Sequence, residues 1–266
     1  MMSNGSYVCV FVASSDRTRD VLDRVFAHFD RIWPDCPYAR FVGLTTLPAS
    51  KQVLGFTVIA ADSETGWRQE LAEQISKLPA EFDRVLLLLD DFLFLRKIDT
   101  PYVEACVHEA ITQDMPYLRM KPLERSWIVR LARSLFAPVT IAEKLSRNEV
   151  FYSSVQAVVW KKEHLLWCLE RPGSIWDFEH ILPPVDHWAV RRAALPYRHI
   201  VEKARWMADA PALFRQAGLP FDPGARAVWP WRVGLEWRLG RIKFGLLGYF
   251  GMKVKWWLRG ASVPRH

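Results

Sequence analysis

No stretch of this chain approaches the ~18 to 20 consecutive apolar residues that a membrane-spanning helix needs. The apolar run from Val85 to Leu89 is far too short. The opening residues, Met1-Met2-Ser3-Asn4-Gly5-Ser6, have neither the basic flank nor the apolar core of an export signal. The expectation is therefore a soluble, cytoplasmic chain. Cysteine is scarce: Cys9, Cys36, Cys106 and Cys168 are widely separated and form no C-x-x-C pair. That spacing argues against a zinc cluster, and without an export signal a disulfide framework is not expected. The four read as free, mostly buried thiols. There is no internal repeat and no low-complexity linker. With 50% hydrophobic and 24% charged residues, the 266-residue chain has the balance of an ordinary folded protein with ample core.

Acid is nearly absent from one place. Between Ala225 and Gly260, eight basic residues (Arg226, Arg232, Arg238, Arg241, Lys243, Lys253, Lys255 and Arg259) face Glu236 alone. That segment by itself carries +7, the net charge of the whole chain, so the rest is close to neutral. Five of the 13 tryptophans lie there too: Trp229, Trp231, Trp237, Trp256 and Trp257. Aromatic rings interleaved with cations suit the headgroup region of an anionic membrane. The plainer reading packs Trp229, Trp231, Leu235 and Trp237 against the rest of the protein and leaves the cations solvated. Nucleic acid is not expected, because no RNA- or DNA-binding motif accompanies the charge. Gly234, Gly240, Gly245 and Gly248 weaken any helix there by up to ~1 kcal/mol each. Such a helix would form on a partner or a membrane.

The first half alternates strand-like and helix-like stretches. Tyr7 to Ala13, Arg40 to Leu44, Gly55 to Ala60 and Arg84 to Leu89 read as strands. Val21, Leu22, Val25, Phe26 and Phe29 recur at helical spacing before Pro34. Asp62 and Ser63 are placed to cap a helix holding Trp67, Leu71, Ile75 and Leu78. The uninterrupted RVLLLL of Arg84 to Leu89 fits a central strand covered on both faces. This order predicts a largely parallel sheet flanked by helices, in which ligands collect beyond the carboxyl ends of the strands. Three polar loops fall there: Ser14-Ser15-Asp16, Asp62-Ser63 and Asp90-Asp91. Further on, Thr100 to Thr112 reads as a helix and Met115 to Met120 as a short strand. Lys121 to Asn148 has modest helical character, Val150 to Trp160 reads as a strand running into a turn, and Glu163 to Leu169 as a helix. The expected organisation is a catalytic-size domain over residues 1–224 and a helical, basic, tryptophan-rich appendage over 225–266.

Adjacent carboxylates such as Asp90 and Asp91 raise one another's pKa unless a cation, a basic partner or solvent relieves them. Capping the next turn is the plain role for either. Oxygen ligands of this kind suit magnesium or manganese bridging to a diphosphate. Gln156 alone reads as a buried hydrogen-bonding residue, and Trp176 and Phe178 as core. Glu179 lies beside those aromatics, where desolvation lifts a carboxylate toward the range of a general base.

The ordered set of Leu88-Leu89-Asp90-Asp91-Phe92, Tyr152 to Lys162 (Y-x-S-x-Q-A-x-x-W-x-K) and Trp176-Asp177-Phe178-Glu179 resembles a group of bacterial GT-A-like glycosyltransferases. These work in capsule, O-antigen and other surface-polysaccharide functions, and the resemblance spans roughly Tyr7 to Trp206. It implies an α/β, Rossmann-like fold, a nucleotide-sugar donor and a glycan or lipid-linked glycan acceptor. It also implies a divalent metal, Mn or Mg. Asp90 and Asp91 match the acidic motif that meets the ribose and the metal-bound diphosphate, with Asp91 the better metal ligand. Ser14, Asp16 and Asp62 match the rim for base and ribose, and Gln156 is grouped with them. His199 matches a late histidine brought to the metal. Glu179 matches the general base of an inverting enzyme, with Asp177 as substitute; retaining chemistry stays open. The adjacent acids depart from the D-x-D spacing, so Arg17, Arg119 or Lys203 stands as an alternative neutraliser of the diphosphate. The competing reading is a non-catalytic α/β protein that docks on membranes or acidic partners through its tail. A peripheral position at the inner face of the cell membrane accords with either.

Overall fold

The structure is a computed structural model that describes residues 7–62, 66–123, 140–147, 149, 152–171, 175–179 and 181–234. The expectations for residues 235–266, for most of Lys121 to Asn148, and for Ser63 and Ser174 lie outside those residues. The chain divides into two compact units: Met1–Pro122 with Ile141–His199, and Leu123–Thr140 with Ile200–His266.

In the first unit, β1 (Val8–Ala13) leads through a 3-10 turn (Asp16–Thr18) into α1 (Arg19–Phe26) and α2 (Phe29–Ile32). Then come β2 (Ala39–Leu44), β3 (Gln52–Val53), β4 (Phe56–Ala60), α3 (Trp67–Ser76), β5 (Arg84–Leu89), β6 (Phe92–Phe94) and α4 (Thr100–Thr112). The unit finishes with β7 (Tyr117–Arg119), β8 (Ala142–Lys144), β9 (Val158–Lys161), α5 (Lys162–Leu169), α6 (Ile175–Glu179), β10 (Trp188–Val190) and β11 (Tyr197–His199).

The four strands predicted in the first half all form, and for the expected reason. Every residue of β1 and β5 except the last is buried, so both faces of these strands are covered. Val21, Leu22, Val25 and Phe26 make the buried stripe of α1. Phe26, Phe29, Phe56 and Phe94 close one side of the core, with ring centroids 5.0 to 6.4 Å apart. Asp99 caps α4 by accepting a hydrogen bond from the Tyr102 amide. Backbone approach is tightest at Gly43 in β2. A Cβ there would collide with Gln74 Oε1 and lie 2.9 Å from Phe11 Cζ, while Gln74 Nε2 donates to the Leu44 carbonyl.

The nine strands line up as β3-β4-β2-β1-β5-β9-β7-β10-β8. β4, β2, β1 and β5 are mutually parallel neighbours, with Val12 opposite both Val42 and Leu88. β9 enters antiparallel between β5 and β7, and β10 runs parallel to β7. The sheet is therefore mixed but mostly parallel. A separate ribbon pairs β6 with β11, setting His199 opposite Phe92.

One expected strand is shorter than its apolar pattern. Among the described residues of Val150 to Trp160, only Val158 onward is strand. Over Tyr152–Ala157 hydrogen bonds involving side chains replace a ladder: Ser153 Oγ donates to the Ile181 carbonyl, the Gln156 amide to Ser154 Oγ, and Tyr117 Oη to the Ser154 carbonyl.

The second unit holds a hairpin of β12 (Val201–Glu202) and β13 (Arg205–Trp206), followed by α7 (Ala210–Gln216). Lys203 and Ala204 form its two-residue turn with φ of +50° and +60°, the positive values that a type I′ turn requires. Trp206 is fully buried against Phe214 and Phe221. Among the described residues, no helix is long and apolar enough to cross a membrane.

Candidate active site

The strand order places the site before any side chain does. The connection from β1 runs to β2 on one flank and the one from β5 leads on toward β7 on the other, so these two neighbouring strand ends send the chain in opposite directions. In open α/β sheets the crevice at such a reversal is where ligands bind. Ser14 follows β1 and Asp90 follows β5, and Ser14 Oγ donates to Asp90 Oδ2 at 2.8 Å. The Asp90 amide also bonds the Ala13 carbonyl, so the two strand ends are locked together. Asp16 lies on the same rim, where its Oδ2 accepts from Thr46 Oγ1, just beyond β2, at 2.6 Å. Asp62 follows β4 two strands out from β1 and is paired with Lys77 Nζ at 2.6 Å. Its side chain is 82% exposed, so it is an outer member of the rim.

Asp91 faces elsewhere than its neighbour. Its Oδ2 lies 3.3 Å from His199 Nδ1. Phe92 stacks on Tyr197 at 3.9 Å and meets the His199 ring edge-on at 4.7 Å. The β6–β11 ribbon thus carries His199 back to Asp91 across 108 residues. Tyr197 Oη accepts from the Ala157 amide, which ties this ribbon to the loop holding the half-buried Gln156.

Glu179 closes α6. Burial raises its carboxyl above the ordinary range, and the charges of Arg119 and His199 oppose that rise. Those charge interactions join Glu179 electrostatically to the Asp91–His199 pair. Arg119 on β7 is buried, with Nε donating to Tyr117 Oη. Asp177 behaves differently. It is exposed and its charge acts on Arg68, whose guanidinium lies over the Phe178 ring.

The candidate residues therefore sort into groups. Ser14, Asp16 and Asp90 share the strand-end crevice, Asp91 pairs with His199, and Glu179 feels Arg119 and His199. Asp62 sits at the periphery, and Asp177 is engaged with Arg68. Of the alternative cations, Arg119 belongs to the site's electrostatics, Arg17 lies in the 3-10 turn after β1, and Lys203 belongs to the hairpin of the second unit. Sequence reasoning passed over Thr46 and Tyr197. For Tyr197 a signal existed, because residues two apart on a strand share a face, as Tyr197 and His199 do.

The Asp91 carboxylate suits Mn or Mg, and the imidazole of His199 beside it favours Mn over the harder Mg. Among the described residues, no three of His, Cys, Asp and Glu converge as a ready cage. A divalent ion held by Asp91 and His199 would take its remaining ligands from phosphate oxygens and water, the usual habit of such ions. No protein-family model and no curated protein matches the chain.

Proposed function

We propose that this protein is a GT-A-like glycosyltransferase that moves a sugar from a nucleotide-sugar donor to a hydroxyl of a bacterial surface glycan, one carried on a lipid. The observation that carries the reading is the Ser14–Asp90 lock at the reversal of strand order, with Asp91, His199, Arg119 and Glu179 gathered electrostatically beside it. A nucleoside diphosphate suits that crevice, since Asp90 and Asp16 offer oxygen acceptors to ribose hydroxyls. A divalent ion, when bound, would neutralise charge on the departing diphosphate.

The chain's own groups supply the rest. Asp91 and His199 would hold the ion, and Arg119 adds a fixed positive charge to the same region. Glu179, partly withdrawn from water, accepts the proton of the acceptor hydroxyl as it attacks the anomeric carbon, which makes the transfer inverting. Asp177, exposed on the same short helix, has no part in this.

The test is thermal denaturation of the purified protein with nucleoside diphosphates and nucleotide sugars, with and without manganese. A ligand that binds only the native state raises the melting temperature, by about 2.7 kcal/mol of stability at a hundred times its Kd. A manganese-dependent shift with one nucleotide family is the expected result. Absence of any shift from a folded sample refutes the reading and leaves the non-catalytic docking protein in its place.

A further inference from the structure

The hairpin of the second unit is extended by a third segment. Trp206 bridges Val228, the Trp206 amide donates to the Ala227 carbonyl, and the Trp229 amide returns a hydrogen bond to the Trp206 carbonyl. This pins Ala227–Trp229 beside β13 and sets cations around an aromatic. Arg205 lies 4.8 Å over the Trp229 ring, and Trp229 Nε1 donates to the Glu202 carbonyl. Arg226 Nη1 donates to the carbonyl of Ala204 in the turn, next to the exposed Lys203. Two residues beyond Trp229, Trp231 is 70% exposed, more than any other large hydrophobic side chain among the described residues. Arg232, also exposed, lies 5.8 Å from the Trp231 ring centroid.

We propose that this surface, which carries the exposed Trp231 and Arg232 together with Lys203, Arg205 and Arg226 of the same unit, docks on anionic lipid. An indole left in water beside a guanidinium group has the amphipathic character of side chains that settle at headgroup level. Charge complementarity selects the lipid. The sequence that follows carries Arg238, Arg241, Lys243, Lys253, Lys255 and Arg259, with Trp237, Trp256 and Trp257 and Glu236 as its one acid up to Gly260. Attraction to a negative surface therefore continues beyond the described hairpin. The inference does not rest on the transferase reading, and either can fail alone.

The experiment is co-sedimentation of the full chain with vesicles of phosphatidylcholine alone and with an equal mixture of phosphatidylcholine and phosphatidylglycerol. The protein should bind the mixed vesicles and not the neutral ones, and added salt should release it. Trp231→Ala should weaken binding about tenfold, since less apolar surface is buried at the interface. Arg205→Ser with Arg232→Ser should weaken it roughly 25-fold, about fivefold for each cation near the surface. Trp231→Phe, which keeps an aromatic ring, should restore most of the binding lost in Trp231→Ala. Because Trp231 is exposed, its variants should keep the parent's circular dichroism. Equal binding by parent, Trp231→Ala and the double arginine variant would overturn the proposal. So would binding to single-stranded nucleic acid without binding to mixed vesicles.

Discussion

Acid should destabilise this protein through two histidines buried side by side. His187 is sandwiched between Tyr117 and Tyr152, with ring centroids 4.0 and 4.6 Å away and planes within 9°. Its Nδ1 lies 3.0 Å from the Tyr152 carbonyl oxygen, an acceptor only, so Nδ1 carries the proton. His187 Nε2 is then the acceptor in its 2.9 Å contact with His164 Nε2, which must donate. Both rings are neutral in this arrangement, and a proton added at His187 Nε2 would point at the His164 N–H. Burial, the first cause for each, pulls His187 down to about 3 and His164 down to about 4. Arg119 and Arg147 push the same way at His187, as do Arg171 and Lys161 at His164; Glu163 and the Tyr152 carbonyl push back.

The sign follows from linkage. Unfolded imidazoles titrate near 6.5, so between that value and the folded ones the unfolded chain binds more protons, and stability falls as pH falls. From pH 7 to pH 5 each histidine costs about 2 kcal/mol, and the pair about 4 kcal/mol, provided both stay neutral in the fold. That is a large share of the ~5 to 15 kcal/mol of a typical domain. Glu179 acts in the opposite sense: its raised carboxyl gains stability as pH falls through its folded value. Urea denaturation at pH 7, 6 and 5 measures the loss, and His164→Gln keeps a donor while removing one titration. The variant should lose about 2 kcal/mol less than the parent over that interval. An identical pH dependence in parent and variant would refute the reasoning.

Three further outcomes follow from the geometry. Glu179→Gln should lower the turnover of the proposed sugar transfer by about 10²- to 10⁴-fold and leave the proposed nucleotide binding in place. Asp177→Asn, at an exposed position, should stay within about twofold of the parent in the same steady-state assay, because a general base must reach the proton it takes. Gly43→Ala should destabilise the fold by about 1 to 3 kcal/mol, because its Cβ meets Gln74 and Phe11 in a packed interior. Its thermal midpoint, read by circular dichroism, checks this.

Much of the first half could be read from residue order. Strands β1, β2, β4 and β5 and helices α1, α3 and α4 arise where periodicity and burial demand agree. The carboxyl-end rim followed from a general property of parallel sheets. What could not be read was strand direction. The apolar residues of β9 look alike whichever way the chain runs, and only its seating between β5 and β7 makes it antiparallel. The irregular Tyr152–Ala157 loop escaped for a related reason: the groups that satisfy it, Ile181 and Tyr117, are remote in sequence.

The candidate site divides in the same way. Residue types alone marked Asp90, Asp91 and Glu179 as chemically capable, the family resemblance added His199, and local composition confined the excess positive charge to the tail. Tertiary structure decided which of them act on one another. Asp90 and Asp91 are neighbours in the chain, yet one bonds Ser14 and the other faces His199. Asp177 and Glu179 share one short helix, yet one acts on Arg68 and the other feels Arg119. Helical rotation and the turn after a strand send adjacent carboxylates in different directions. The partner each one meets is set by elements that packing brings in from far along the chain.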